Sequence, residues 1–319
     1  MAIPETVELR GTDDIARLLG SGDFLIVDYA NRHRALADHF GLDFSNIIFA
    51  IQHVPLCLMG AEHAASRKRI ATLMAEGSAD AVSFIQTDIA GMVAKLHAPG
   101  PHDVMQEFVH PCVNGLLAAS TGITSALGHD PVMSQIFSQT AGIAKRKRMN
   151  AELGKLRETI ASQRPDLNET EIGDRVALFI LGTDALKGTL ARSIHALYTQ
   201  SDGKVPTTFM EEYPATGVPY IQRLSEVACP FDGVISPENT HFSARLDEFE
   251  RPENASFRNR FFGYGAHLCL GRKLSVLLWK VIQEAMHDFP AEIDITDYAL
   301  RKDDVFNIPK TFQIEVKHA

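Results

Sequence analysis

The chain has 319 residues, enough to bury a substantial core. Apolar residues make up 45% and charged residues 22%, which excludes a disordered or low-complexity chain, and a net charge of −9 argues against general nucleic-acid binding. No apolar run is long enough to cross a membrane, and residues 1–10 lack the basic start and apolar run of a signal peptide, so a soluble, cytoplasmic protein with no membrane association is expected.

No repeat, low-complexity segment or clear linker interrupts the sequence, and a single domain over residues 1–319 is expected. Thr12 and Asp13 precede Ile15-Ala16-Arg17-Leu18-Leu19 and Gly20, the pattern of a short capped helix. Phe24-Leu25-Ile26-Val27 reads as a strand or a helix edge. In Gly60 to Ile70 the spacing places His63 and Arg67 at i and i+4, on one helix face, where both can reach one anion. Residues 79–96 and 103–120 carry helical apolar spacing. His110, followed by Pro111, reads as a packed or capping histidine. A turn is predicted at Gly128 to Pro131. Lys145-Arg146-Lys147-Arg148 reads as a solvated basic helix face, and Ala151 to Gln163 as a polar helix.

Asn168 and Glu171 form a capping box that opens a long helix, Ile172 to Tyr198. Gly182-Thr183-Asp184-Ala185 lies inside it. Pro214, after Met210-Glu211-Glu212-Tyr213, disfavours a helix there. Pro219 to Arg223 and the hairpin-like Phe231 to Pro237 follow. Cys57, Cys112 and Cys229 have no framework spacing and read as small core residues in a reducing compartment.

The densest signal is Phe261-Phe262-Gly263-Tyr264-Gly265-Ala266-His267-Leu268-Cys269-Leu270-Gly271-Arg272. Its glycines allow positive φ and close approach to something large and flat. Backbone N–H groups near Cys269 and the helix start behind it favour a thiolate, which makes Cys269 a metal ligand or a nucleophile. No second Cys or His follows at zinc spacing. One thiolate with one open face suits heme iron.

Phe262-Gly263-x-Gly265-x-His267-x-Cys269-x-Gly271 resembles the heme-binding loop of the cytochrome P450 family, which implies heme b (iron protoporphyrin IX) with Cys269 on the iron. The resemblance covers roughly residues 12–319. It implies a mainly α fold with a small β region, truncated at the N-terminus and in the F/G and J–K regions. Cofactor contacts are then expected from Phe262, Gly263 and Gly271 in the loop. His63, Arg67, Arg223 and His267 are expected at the heme propionates.

The long helix with Leu178 to Ala185 inside it resembles the family's I helix, with Gly182 opening the groove, Asp184 as the acid of the acid–alcohol pair, and Ala185 where the alcohol normally stands. Glu-x-x-Arg is missing from the expected K helix. Trp279 reads as core. The absence of a membrane anchor resembles the soluble, bacterial-type members.

These features imply a heme-thiolate monooxygenase oxidising a small organic substrate, whether a secondary metabolite or a fatty or aromatic compound. Between Asn254 and Gln283 there is no acid, while Arg258, Arg260, Arg272, Lys273 and Lys280 are present, a patch that suits an acidic ferredoxin-type redox partner. Ala185 leaves open a second class that does not activate O₂: an isomerase, dehydratase or peroxide user. The missing Glu-x-x-Arg and the shortened F/G region, which in the family roofs the substrate pocket, leave open a third, a non-catalytic heme sensor or accessory subunit. A homo-oligomer or a partner subunit would cover that roof.

Overall fold

The computed structural model describes residues 6–22, 24–124, 133–138, 140–200, 213–225, 229–231, 234–301 and 305–317. In order the elements are β1 (Thr6–Leu9), α1 (Thr12–Gly20), β2 (Phe24–Leu25), α2 (Tyr29–Phe40), α3 (Ser45–Ile51), α4 (Gly60–Glu76), α5 (Ser78–Thr87), α6 (Ile89–Leu96), β3 (Gly100–Asp103) and α7 (His110–Thr121). Next come α8 (Ile143–Gln163), α9 (Glu169–Gln200), β4 (Tyr220–Ser225), β5 (Cys229–Phe231), β6 (Val234–Ser236), β7 (His241–Arg245), α10 (Arg272–Asp288), β8 (Glu292–Leu300) and β9 (Pro309–Lys317). The fold is mainly α with a small β region, as the sequence implies.

The chain divides into two compact units, each assembled from three separated stretches. The first takes segments 1–70, 132–180 and 218–269; the second takes 71–131, 181–217 and 270–319. The first holds the sheet β1-β7-β4-β2 and the hairpin β5-β6. β1 lies parallel to β7, and β4 antiparallel to both β7 and β2. Ile15, Phe44, Ile47, Leu153, Phe242 and Phe249 are buried in its core. The second unit holds the sheet β3-β9-β8, with Phe108, Val113, Ile194, Leu278 and Ile314 buried.

The capping box forms as read: Asn168 N–H donates to Glu171 Oε2 at 2.8 Å, and Glu171 N–H donates to Asn168 Oδ1 at 3.1 Å. β5 and β6 form the expected antiparallel hairpin. His110 and Trp279 are buried.

Five expectations need correction. Residues 79–96 make two helices that meet at Asp88, where the single Thr87 hydroxyl hydrogen has two acceptors in reach, the Ser83 carbonyl and the Asp88 carboxylate. The helix of 103–120 starts late. Glu107 accepts the Asp103 N–H and Asp103 accepts the Gln106 N–H, and Met105–Val109 is a π-type turn just ahead of Pro111, which has no N–H for the helical ladder. Of residues 24–27, read as a strand or a helix edge, only Phe24–Leu25 is strand, and α1 is capped by Gly11 without a side-chain bond. Lys145–Arg148 and Ala151–Gln163 belong to one helix, and Arg146 is buried within it.

Residues 213–219 carry no helix, consistent with Pro214. The turn at Gly128 to Pro131, Met210 to Glu212, and Asp232 and Gly233 lie outside the described residues.

Candidate active site

The cysteine loop is the last segment of the first unit. A run of 3₁₀ turns, Pro252–Phe262, leads into it with Phe261 and Phe262 buried and their rings 4.3 Å apart. Gly263 has φ 91°, and a Cβ there would stand 2.8 Å from the His267 carbonyl oxygen, so only glycine lets the loop fold back on itself. The Cys269 N–H donates to the Phe262 carbonyl at 2.8 Å. Cys269 itself is exposed. Gly271 has the ordinary right-handed conformation (φ −78°), so its place owes nothing to backbone freedom.

Four expected residues converge beside this loop. α4 supplies His63 and Arg67, β4 supplies Arg223, and the turn Gly265–His267 supplies His267. The His63 and His267 rings lie 4.3 Å apart. Arg67 Nη2 donates to the Leu268 carbonyl at 2.7 Å, just before the cysteine. Arg223 is 4% exposed, and its Nη1 donates to the Gln222 carbonyl at 2.8 Å.

The cluster is electrostatically one-sided. Burial, then Arg223, His63 and Arg67, push the His267 imidazole down to about 4. Burial, then Arg67 and Arg223, lower His63. Burial pushes Arg223 down to about 10. Burial also lowers Arg67, against a raising contribution from the Cys269 thiolate. Among the described residues no carboxylate pairs with any of the four. His63 Nε2, His267 Nδ1 and Arg223 Nη2 are buried and lack hydrogen-bond partners. Buried polar nitrogens without partners are costly, and the charges of Arg67 and Arg223 stand unpaired beside them. A ligand carrying carboxylates, placed beside the exposed sulfur, relieves both. The residues therefore fit a metal-centred group that carries carboxylates, such as heme.

Gly182, Asp184 and Ala185 belong to the second unit. The structure separates them: Leu181, Gly182, Ala185 and Leu186 form one part-exposed face of α9, whereas Asp184 is buried away from that face, as neighbours about 100° apart allow. A Cβ on Gly182 would stand 2.8 Å from Leu117 Cδ2, so this glycine admits a neighbouring side chain. Asp184 lies one turn from Lys187, a fully buried lysine whose lowering by burial is opposed by the Asp184 charge. The apolar pattern of α9 concealed Lys187; its i, i+3 spacing from Asp184 was the available signal. The backbone at Gly217 packs on α9 so closely that a Cβ there would stand 2.4 Å from the Ala185 carbonyl oxygen. Thr189 Oγ1 accepts the Gly217 N–H at 3.0 Å, which engages the next hydroxyl along the helix.

Sequence reasoning also missed a clamp upstream of the loop. Glu248, 4% exposed, accepts from Arg10 Nη1 at 2.8 Å and pairs with Arg251 Nε at 2.6 Å. Arg10 immediately precedes α1, and α1 packs against both Leu246–Glu250 and Gly265–His267. The spacing of Glu248 and Arg251 was visible in the sequence, but Arg10 is brought in only by the β1–β7 pairing.

No family model matches this sequence, and neither does any curated protein sequence. Solved structures do match. P450BioI, in complex with an acyl carrier protein ligated to hexadec-9Z-enoic acid, aligns over 97% of this chain and 92% of its own, with TM-score 0.73 and 14% identity. The chain has the cytochrome P450 fold. A cytochrome P450 from Sulfolobus tokodaii aligns over 100% of this chain and 96% of its own, with TM-score 0.69 and 15% identity. The P450 heme domain of Tepidiphilus thermophilus gives 0.69 and 12%, over 97% and 88%. Among the described residues no helix is long and apolar enough to cross a membrane.

Proposed function

We propose that this protein is a heme-thiolate oxidoreductase of the monooxygenase type, acting on a small, largely apolar organic substrate. The observation that carries the reading is the cluster of partnerless buried nitrogens His63 Nε2, His267 Nδ1 and Arg223 Nη2 beside the exposed Cys269. Heme with a thiolate ligand supplies an electron-rich iron that favours O–O cleavage. Cys269 holds the iron, and Phe262 and Gly263 shape the loop that presents the sulfur. His63, Arg67, Arg223 and His267 receive the propionates as charge-assisted donors. Gly182 and Ala185 give α9 an apolar, part-exposed face, which favours a substrate without charge. Asp184, turned from that face and coupled to Lys187, is a proton reservoir reached through water or a substrate hydroxyl.

Electrons come from an acidic, ferredoxin-type partner. Arg258 and Arg260, with Phe257 exposed beside them, suit such docking. The acyl carrier complex of P450BioI makes a fatty acyl chain one substrate to test. We place the protein in the cytoplasm. A second reading, chemistry without O₂ activation, is favoured by Ala185, which leaves the Gly182 face of α9 without a hydroxyl.

The test is the reduced-plus-CO difference spectrum of the purified protein. A thiolate-type band is expected, and Cys269→Ser should abolish it while the protein still folds. An unchanged band in that variant would refute the assignment. NADH- and ferredoxin-dependent turnover across a compound panel then separates the two readings.

A further inference from the structure

α4 is gripped from two sides, and only one of the grips has a role in the reading above. Arg67 reaches the Leu268 carbonyl beside the cysteine. Arg69, two residues on, leaves the helix about 200° around its axis from Arg67 and meets α9 instead. Its Nε and Nη2 donate to Asp174 Oδ2 and Oδ1 at 2.7 and 3.2 Å, a two-bond fork on a buried carboxylate.

The joint has a second member. Ser66, fully buried, donates its hydroxyl hydrogen to the His53 carbonyl at 2.9 Å. The His53 ring packs on α9 at Gly173, where a Cβ would stand 2.3 Å from ring carbon Cδ2. Gly173 immediately precedes Asp174. α9 therefore holds α4 directly at Arg69, and through His53 at Ser66. His53, Ser66, Arg69 and Asp174 all belong to the first unit, with the cysteine loop. Ser66 and Arg69 are one turn apart, so the two anchors together stop the helix from rolling about its axis. A guanidinium stands well off that axis, and a modest roll would carry Arg67 beyond hydrogen-bonding reach of the loop. A planar fork suits this task, because it fixes direction as well as distance.

Resting on the heme reading above, we propose that Asp174 is a positioning residue for the carboxylate end of the ligand site. By holding Arg69 it sets the roll of α4, and so sets where His63 and Arg67 stand beside the cysteine loop. It acts through α4 and not on the ligand.

The test compares wild type with two variants. Asp174→Asn keeps the side chain's shape and removes its charge. Arg69→Met/Asp174→Leu removes both charges, so that neither is left buried alone. Each chain, freed of heme, is titrated with hemin and with hemin dimethyl ester, whose carboxylates are blocked. We expect both variants to bind hemin about threefold to fivefold more weakly, a partial loss of one hydrogen bond to a charged acceptor. Both should match wild type for the diester, whereas general loosening of the fold would weaken the two porphyrins alike. In a His63→Ala/Arg67→Ala background, adding Asp174→Asn should cause no further loss of hemin affinity. Unchanged hemin affinity in either variant, an equal loss for hemin and diester, or an undiminished loss in the background lacking His63 and Arg67 overturns the inference while the heme reading stands. A wild-type protein that binds neither porphyrin overturns both.

Discussion

Arg67 and the Leu268 carbonyl oxygen meet at 2.7 Å, across 201 positions of sequence. A helix residue expected only as an anion donor therefore also grips the backbone beside the cysteine. Removing it should do two things at once. Arg67→Ala should speed heme transfer to an excess apo-globin about tenfold, and should enlarge the fraction of protein lacking the thiolate-type CO band. Arg67→Lys, unable to span carbonyl and carboxylate with one planar fork, should fall between. Full retention with an intact band in Arg67→Ala would count against both roles.

The Glu248 clamp predicts coupled losses. Glu248→Ala leaves Arg10 and Arg251 facing a buried, vacated position. It should cost about 2 kcal/mol, at the lower end for a broken buried pair because both arginines are about half exposed. Arg10→Ala should cost less, and adding it to Glu248→Ala should cost almost nothing further. Additive losses in urea denaturation would show that the two residues act independently.

His33 and Arg146 give a pH signature. Arg146 Nη1 lies 3.0 Å from His33 Nδ1, and both side chains are buried. Burial first, and Arg146 second, push the His33 imidazole down to about 4. The unfolded chain binds this proton near 6.5 and the folded chain only near 4. Between those values the unfolded state holds more protons, so stability falls as pH falls through the window. The loss from this residue should reach about 2 kcal/mol at pH 5. His33→Gln should flatten the melting temperature between pH 7 and pH 5; an identical slope in the variant would remove His33 as its source.

Ala185 sets a limit on the proposed chemistry. It brings no hydroxyl to the Gly182 face of α9, and Thr189, one turn on, is occupied with the Gly217 N–H. If O₂ is the oxidant, wild-type turnover should leak peroxide, and Ala185→Thr should reduce the peroxide released per NADH consumed. If the enzyme rearranges its substrate, the variant should change little and no electrons should be consumed. Tight coupling in the wild type, with a substrate that has no hydroxyl groups, would sink the account.

Much of this was legible from local chemistry. The capping box, the glycine-cysteine loop and the i, i+4 pair on α4 are short-range patterns whose geometry follows from their spacing. Long-range partners were not legible. Arg10 reaches Glu248 only because β1 pairs with β7. The facing of Asp184 could be computed from helical geometry, but which face would be buried could not. The breaks at Asp88 and Pro111 turned on side-chain competition with the backbone, which apolar periodicity does not record.

The threading of the two units also has a consequence for biosynthesis. Cys269 is the final residue of the last segment of its unit, and that unit's other segments are separated from it by stretches belonging to the other. A chain emerging from the ribosome therefore holds α4, with His63 and Arg67, long before any sulfur is available beside it. The paired strands β1 and β7 likewise wait for each other across most of the chain. Contacts so distant in sequence form slowly. Assembly of the thiolate site therefore waits for the last of the three segments of its unit.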